Sequence, residues 1–161
     1  MFFALHAYVC HDAADIPYRA SSLGEANVTD RDLELLNDSL ERCSARGDFI
    51  DYFYDLFLQS SEEVAEKFAH TDFRKQKRML KASFYLILLA NEGKPEGRSH
   101  LKRIAQLHSR QGVDVRPGLY ELWLDSLMQT VRAYDPQWTE EIEQVWRQML
   151  RPGIIRMQTG Y

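Results

Sequence analysis

The apolar positions of this chain fall into stripes of helical period. Leu33, Leu36, Leu40 and Cys43 are spaced three, four and three apart behind a cap-like Thr29-Asp30-Arg31-Asp32, which predicts a first helix with one apolar face. Gly47 ends it and Asp48 opens a second helix with Phe49, Ile50, Phe53, Phe57 and Leu58 inward. Ser60-Ser61-Glu62-Glu63 starts a short third segment ending near Phe68, and Thr71-Asp72 opens a long helix to about Asn91. Its inward residues are Phe73, Leu80, Phe84, Ile87 and Leu88. After a loop at 93–97, Ser99 is expected to cap a short helix with Leu101, Ile104 and Ala105 on one face. A second loop covers 112–118, and Pro117 is placed to begin a helix reaching Tyr134, with Tyr120, Leu124, Leu127 and Val131 inward. Asp135-Pro136 should start the last long helix, with Trp138, Ile142, Val145, Trp146 and Met149 inward, and Arg151-Pro152-Gly153 should break it. Residues 1–27 have no clear period and read as a leader, 28–150 as the folded domain and 151–161 as a short tail.

Composition supports an all-α fold. Leu occurs 19 times, as often as Val (7), Ile (7) and Thr (5) together, a balance that disfavours sheets. Residues 48–92 contain neither glycine nor proline, too long a stretch for a β fold that turns every few residues. Of the 161 residues, 45% are hydrophobic, enough for one domain with a proper core. No run of 18 apolar residues predicts a membrane span. The opening MFFALHAYVC lacks the basic start of a secretory signal. A net charge of −4 argues against affinity won by neutralising phosphates, hence against nucleic acid as a partner. Cys10 and Cys43 make no disulfide framework, which fits a reducing, cytoplasmic location.

Three polar residues interrupt the apolar stripes. His108 continues Leu101, Ile104 and Ala105 at i+7; Gln76 precedes Leu80 by one turn; Tyr54 sits between Phe53 and Phe57. Burying such groups without partners costs about 1–3 kcal/mol each. Each alone fits a satisfied core or boundary residue. Together they fit a ligand-filled core, with His108 binding a metal and the other two facing it.

On these residues the sequence resembles a bacterial single-domain haemoglobin and, more distantly, the globin domain of flavohaemoglobins. The resemblance covers about 29–150. Phe53-Tyr54-Asp55 matches a distal tyrosine, Phe68 a phenylalanine packed on haem, Gln76 with Leu80 the distal pair of the long helix, and Ile104-Ala105-Gln106-Leu107-His108 the segment ending in the proximal histidine. Pro117 followed by Tyr120 matches the start of the next helix, and Trp146 a core position of the last. The separations, 22 residues from Tyr54 to Gln76 and 32 from there to His108, make the set more specific than any one motif. The resemblance implies a globin fold, haem b with His108 on the iron, contacts from Phe68, Leu80, Phe84 and Tyr120, and Tyr54 and Gln76 on the ligand side. The implied ligands are O₂, NO or CO, held by a monomer or homodimer.

Reversible gas binding is the function so implied, with no catalytic residue named. An NO dioxygenase that depends on a separate reductase, or a gas-sensing globin-fold interaction module, is the alternative. In flavohaemoglobins a tyrosine and a glutamate flank the proximal histidine. Tyr120 matches the tyrosine, but the glutamate's counterpart falls near Tyr161, which argues against a peroxidase-like electronic push. No glycine-rich dinucleotide loop follows a strand here, so any reductase is expected to be external. Arg74, Lys75, Lys77, Arg78 and Lys81 put five positive charges into eight residues; a solvated face is the plain reading, an acidic redox partner or haem propionates the sharper one. His70, just after Phe68, is placed to swing in as a second iron ligand, but it precedes the long helix, which argues against that role; His6, His11 and His100 are expected to be exposed, and Cys43 to act as a small hydrophobe.

Overall fold

The computed structural model describes residues 28–161; the leader with His6, Cys10 and His11 lies outside them. The described residues form seven α-helices and no strand: α1 Asp30–Ser44, α2 Phe49–Gln59, α3 Glu62–Phe68, α4 Phe73–Asn91, α5 Pro95–His108, α6 Leu119–Tyr134 and α7 Glu140–Thr159. The expected all-α class therefore holds.

Local chemistry explains most of the ends. Thr29 and Asp32 form a reciprocal capping box on α1, which satisfies two of the amides left over in the first turn. Ser61, Asp72 and Thr139 accept from first-turn amides of α3, α4 and α7. α4 packs against α5, α2 against α6, and α7 against α1, α5 and α6. α6 forms the centre: Leu124, Leu127 and Val131 are fully buried, together with Phe53 of α2 and Trp146 of α7.

Three boundaries differ from expectation. α5 begins at Pro95 and not at Ser99, with proline in the first turn, where its missing N–H is no loss. Gly97 then allows a close crossing, because a Cβ there would overlap the Ala90 backbone of α4. α7 begins at Glu140 behind Thr139, so Trp138 belongs to the turn before it. Finally, α7 does not break at Pro152, and the boundary expected after Leu150 falls inside a continuous helix. Proline removes one helical hydrogen bond and crowds the preceding turn. Burial on both sides outweighs that cost: Met149, Leu150 and Ile154 are core residues, and Gly153 lies against Leu101 of α5.

Candidate functional site

α5 ends on His108, whose apolar stripe holds the ring toward the interior. The imidazole Nδ1 is buried and has no hydrogen-bond partner. Burial draws the histidine down to about 4, so the ring is neutral near pH 7 and keeps a lone pair for coordination. Tyr120, in the first turn of α6, is buried, with its ring centroid 6.1 Å from that of His108. Its hydroxyl also lacks a partner, and burial pushes it up to about 12.

A second group of side chains comes from α2, α3 and α4. Tyr54 of α2 is buried and makes an edge contact with Phe73 at 5.4 Å and a tilted one with Phe68 at 5.9 Å. Phe68 in turn stacks with Phe73 at 6.0 Å and meets Phe57 edge-on at 5.8 Å. Burial raises the Tyr54 phenol, and a hydrogen bond with the Gln76 side chain acts in the opposite direction. Only the amide N–H₂ of Gln76 can favour the phenolate, and the amide Oε1 is left buried without a partner. The Thr71 hydroxyl, between α3 and α4, is a further buried group with none.

The structure thus brings Tyr54, Gln76 and Phe68 together, and separately pairs His108 with Tyr120. Leu80 is half-buried against the core. Phe84 is turned elsewhere: it meets Trp146 at 5.8 Å and Phe49 at 6.4 Å, inside the general core. Phe73 is a site residue not singled out from the sequence, although it precedes Gln76 by three, on the same helix face.

His100 corrects an expectation. It is buried, with Nε2 3.1 Å from the Ser83 hydroxyl and Nδ1 3.3 Å from the Arg103 guanidinium. Arginine can only donate, so Nδ1 accepts and Nε2–H donates to Ser83, whose own proton goes to Met79 O. The ring is a clip between α4 and α5. His70 is exposed. Cys43 is fully buried, and burial pushes its thiol up to about 12, which leaves it unreactive. In the basic run, Arg74, Arg78 and Lys81 are exposed, while Lys77 pairs with Asp51 of α2.

No family model matches the chain, and no curated protein matches it. Among solved structures it is similar to protein PA3967 of Pseudomonas aeruginosa PAO1, described as structurally highly homologous to a human hemoglobin. The two share 35% identity with a TM-score of 0.77, over 81% of this chain and 98% of that one.

Proposed function

The chain belongs to the globin family, beside bacterial single-domain globins, and from that premise we propose that it binds haem through His108 and reversibly takes O₂, NO or CO. The observation that carries the reading is the set of buried polar atoms without protein partners, His108 Nδ1, Tyr120 OH and Gln76 Oε1. Native interiors leave few such groups, and three of the five among the described residues fall on residues a haem pocket needs. Among the described residues no three His, Cys, Asp or Glu side chains converge. A porphyrin would bring an iron held by His108 its other ligands.

Haem, when bound, would supply an iron centre able to bind a diatomic gas reversibly. His108 would hold it through the lone pair of a ring that burial keeps neutral. Tyr120, on the ring's flank, limits how the imidazole turns. Leu80, Phe68 and Phe73 exclude water, and the Tyr54 hydroxyl and the Gln76 amide donate hydrogen bonds toward a ligand that carries partial negative charge. An acidic external reductase, docking on Arg74, Arg78 and Lys81, is the partner that such a basic face suits.

Absorption spectroscopy tests the reading. The protein, purified or reconstituted with hemin, should show an intense Soret band that shifts on reduction and on exposure to CO. His108→Gly should lose haem readily, and added imidazole should restore the ligation. A wild-type protein that takes up no hemin would sink it.

A further inference from the structure

α5 does not simply stop at His108, because residues 109–116 fold back over its end. The amides of Gly112, Val113, Asp114 and Val115 donate to Ser109 O at 2.9 Å, Leu107 O at 2.8 Å, Ser109 O at 3.0 Å and His108 O at 2.9 Å. Gly112 passes so near the helix end that a Cβ would run into the Leu107 carbonyl. The turn depends on Asp114, which has φ of +52° and is the sole non-glycine residue in the left-handed region among the described residues. Asp tolerates that conformation better than most side chains, but it persists only where neighbours hold it.

The neighbours come from two directions. The Tyr161 hydroxyl, just past α7, donates to Asp114 Oδ1 at 2.7 Å, and the Arg110 guanidinium lies 4.7 Å from the Tyr161 ring centre. From α3, Lys67 sits 3.8 Å from Asp114 Oδ2 and donates to Val113 O at 3.4 Å. Gln158 of α7 donates to Pro117 O at 3.2 Å, at the far end of the same loop. Contacts from α3 and from beyond α7 therefore meet on Asp114, and the next residue donates to the His108 carbonyl.

We propose that Asp114 and Tyr161 form a latch that positions His108, by holding the 109–116 turn against the end of α5. The iron-ligand purpose of that positioning rests on the haem reading above. Tyr161 and Asp114 are positioning residues: neither is placed at the haem, and both act through the backbone that carries the imidazole. Both are partly solvent-exposed, so removing the contact loosens the turn and leaves the buried core intact.

The test compares Tyr161→Phe, Asp114→Ala and Asp114→Asn with the wild type. In haem-free protein, amide hydrogen exchange at Val115 should quicken about tenfold in Tyr161→Phe and Asp114→Ala, the factor that one lost hydrogen bond produces. Exchange at Leu124 and Leu127 should not change. The His108 ring resonances should shift in the same two variants. In hemin-loaded, reduced protein the iron–histidine stretching band should shift or broaden in both. Asp114→Asn keeps an acceptor for Tyr161 and tolerates the left-handed backbone, so it should return all three readouts toward wild type. Unchanged Val115 exchange and His108 resonances in Tyr161→Phe and Asp114→Ala would overturn the latch, as would an Asp114→Asn that fails to rescue. A wild type that takes up no hemin would instead remove the haem reading, and the haem-free readouts would still decide the latch.

Discussion

Buried polar groups are treated in opposite ways at two places in this molecule. Where α1, the end of α6 and α7 meet, the groups around the Asp135 carboxylate are paired. The Asp135 carboxylate accepts from Arg42 at 2.6 and 2.8 Å, from Ser39 at 2.6 Å and from the Gln137 amide at 2.9 Å. Ser39 in turn accepts from the Trp146 indole at 2.9 Å. Burial alone would raise the acid, but the hydrogen bonds from Arg42 and Ser39 outweigh it and hold Asp135 below the ordinary carboxylate range. The His108 Nδ1, the Tyr120 hydroxyl and the Gln76 Oε1 are equally hidden and have no protein partner. A chain that completes one buried network and leaves another open marks the open one as a place for something else. Trp138, whose amide donates to Asp135 O at 3.1 Å, is the exception beside the paired network: its indole N–H is unpaired, and its ring carries the Arg132 guanidinium 4.4 Å away.

The largest expected effect of breaking this contrast lies in the paired region. Asp135→Ala strands the Arg42 cation and frees the Ser39 hydroxyl beside Trp146. Removing one partner of a buried pair costs about 3–5 kcal/mol, and urea unfolding of the haem-free protein should show a loss of that size. A loss below ~1 kcal/mol would mean that solvent already screens the network and that the contrast between the two regions is false.

In the open region the same kind of edit should act on ligand and not on fold. Tyr54→Phe removes a hydrogen bond worth ~1.5–3 kcal/mol to a partly charged ligand, so O₂ release should quicken roughly ten- to a hundredfold, at about 1.4 kcal/mol per factor of ten. Gln76→Leu should act in the same direction. The double variant should fall short of the sum, because both groups address one ligand. Stopped-flow release rates decide the point, and equal rates in all variants would remove Tyr54 and Gln76 from the ligand side.

Acid should separate the regions as well. The folded state holds Asp135 below its ordinary value of 3.8. Its contribution is therefore fully present above the unfolded value and is lost as pH falls through the folded one. Stability of the wild type should drop below about pH 4 more steeply than that of Asp135→Asn, measured as the urea midpoint at a series of pH values. Parallel curves would show that other carboxylates dominate acid unfolding.

Much of this was legible in the sequence because helical chemistry is local. The stripe from Leu33 to Cys43, the cap at Thr29 and the loop at Gly47 are read within a few residues of where they act. The stripe through Ile104 and Ala105 pointed His108 inward for the same reason. The errors came where a distant partner overrode a local rule. Pro152 reads as a stop, but Met149 and Ile154 are buried and Gly153 meets Leu101, contacts no local pattern contains. His100 looks like one more polar helix residue until Ser83 of α4 arrives beside it. Phe84 shares a stripe with Leu80, yet the position of Trp146 decides which way it faces. Asp114 gave no signal, since its unusual backbone is held from α3 and from beyond α7.

The smallest expected effect is the most direct check on the open region. Tyr120 carries a buried hydroxyl with no acceptor, so the folded haem-free protein bears its desolvation and gains no bond in return. Tyr120→Phe removes the hydroxyl and keeps the ring that lies 6.1 Å from His108. Replacing an unpaired buried polar group by an apolar one of the same shape is neutral or stabilising. Haem-free Tyr120→Phe should therefore match or exceed the wild type by up to about 1 kcal/mol in urea. Ser39→Ala, an edit of similar size in the paired region, should lose about 1–2 kcal/mol, because Trp146 and Asp135 each lose a partner. The sign of the difference is what matters. A Tyr120→Phe variant destabilised as much as Ser39→Ala would show that the hydroxyl has a partner in solution, and the open character of the region would have to be withdrawn for that side chain.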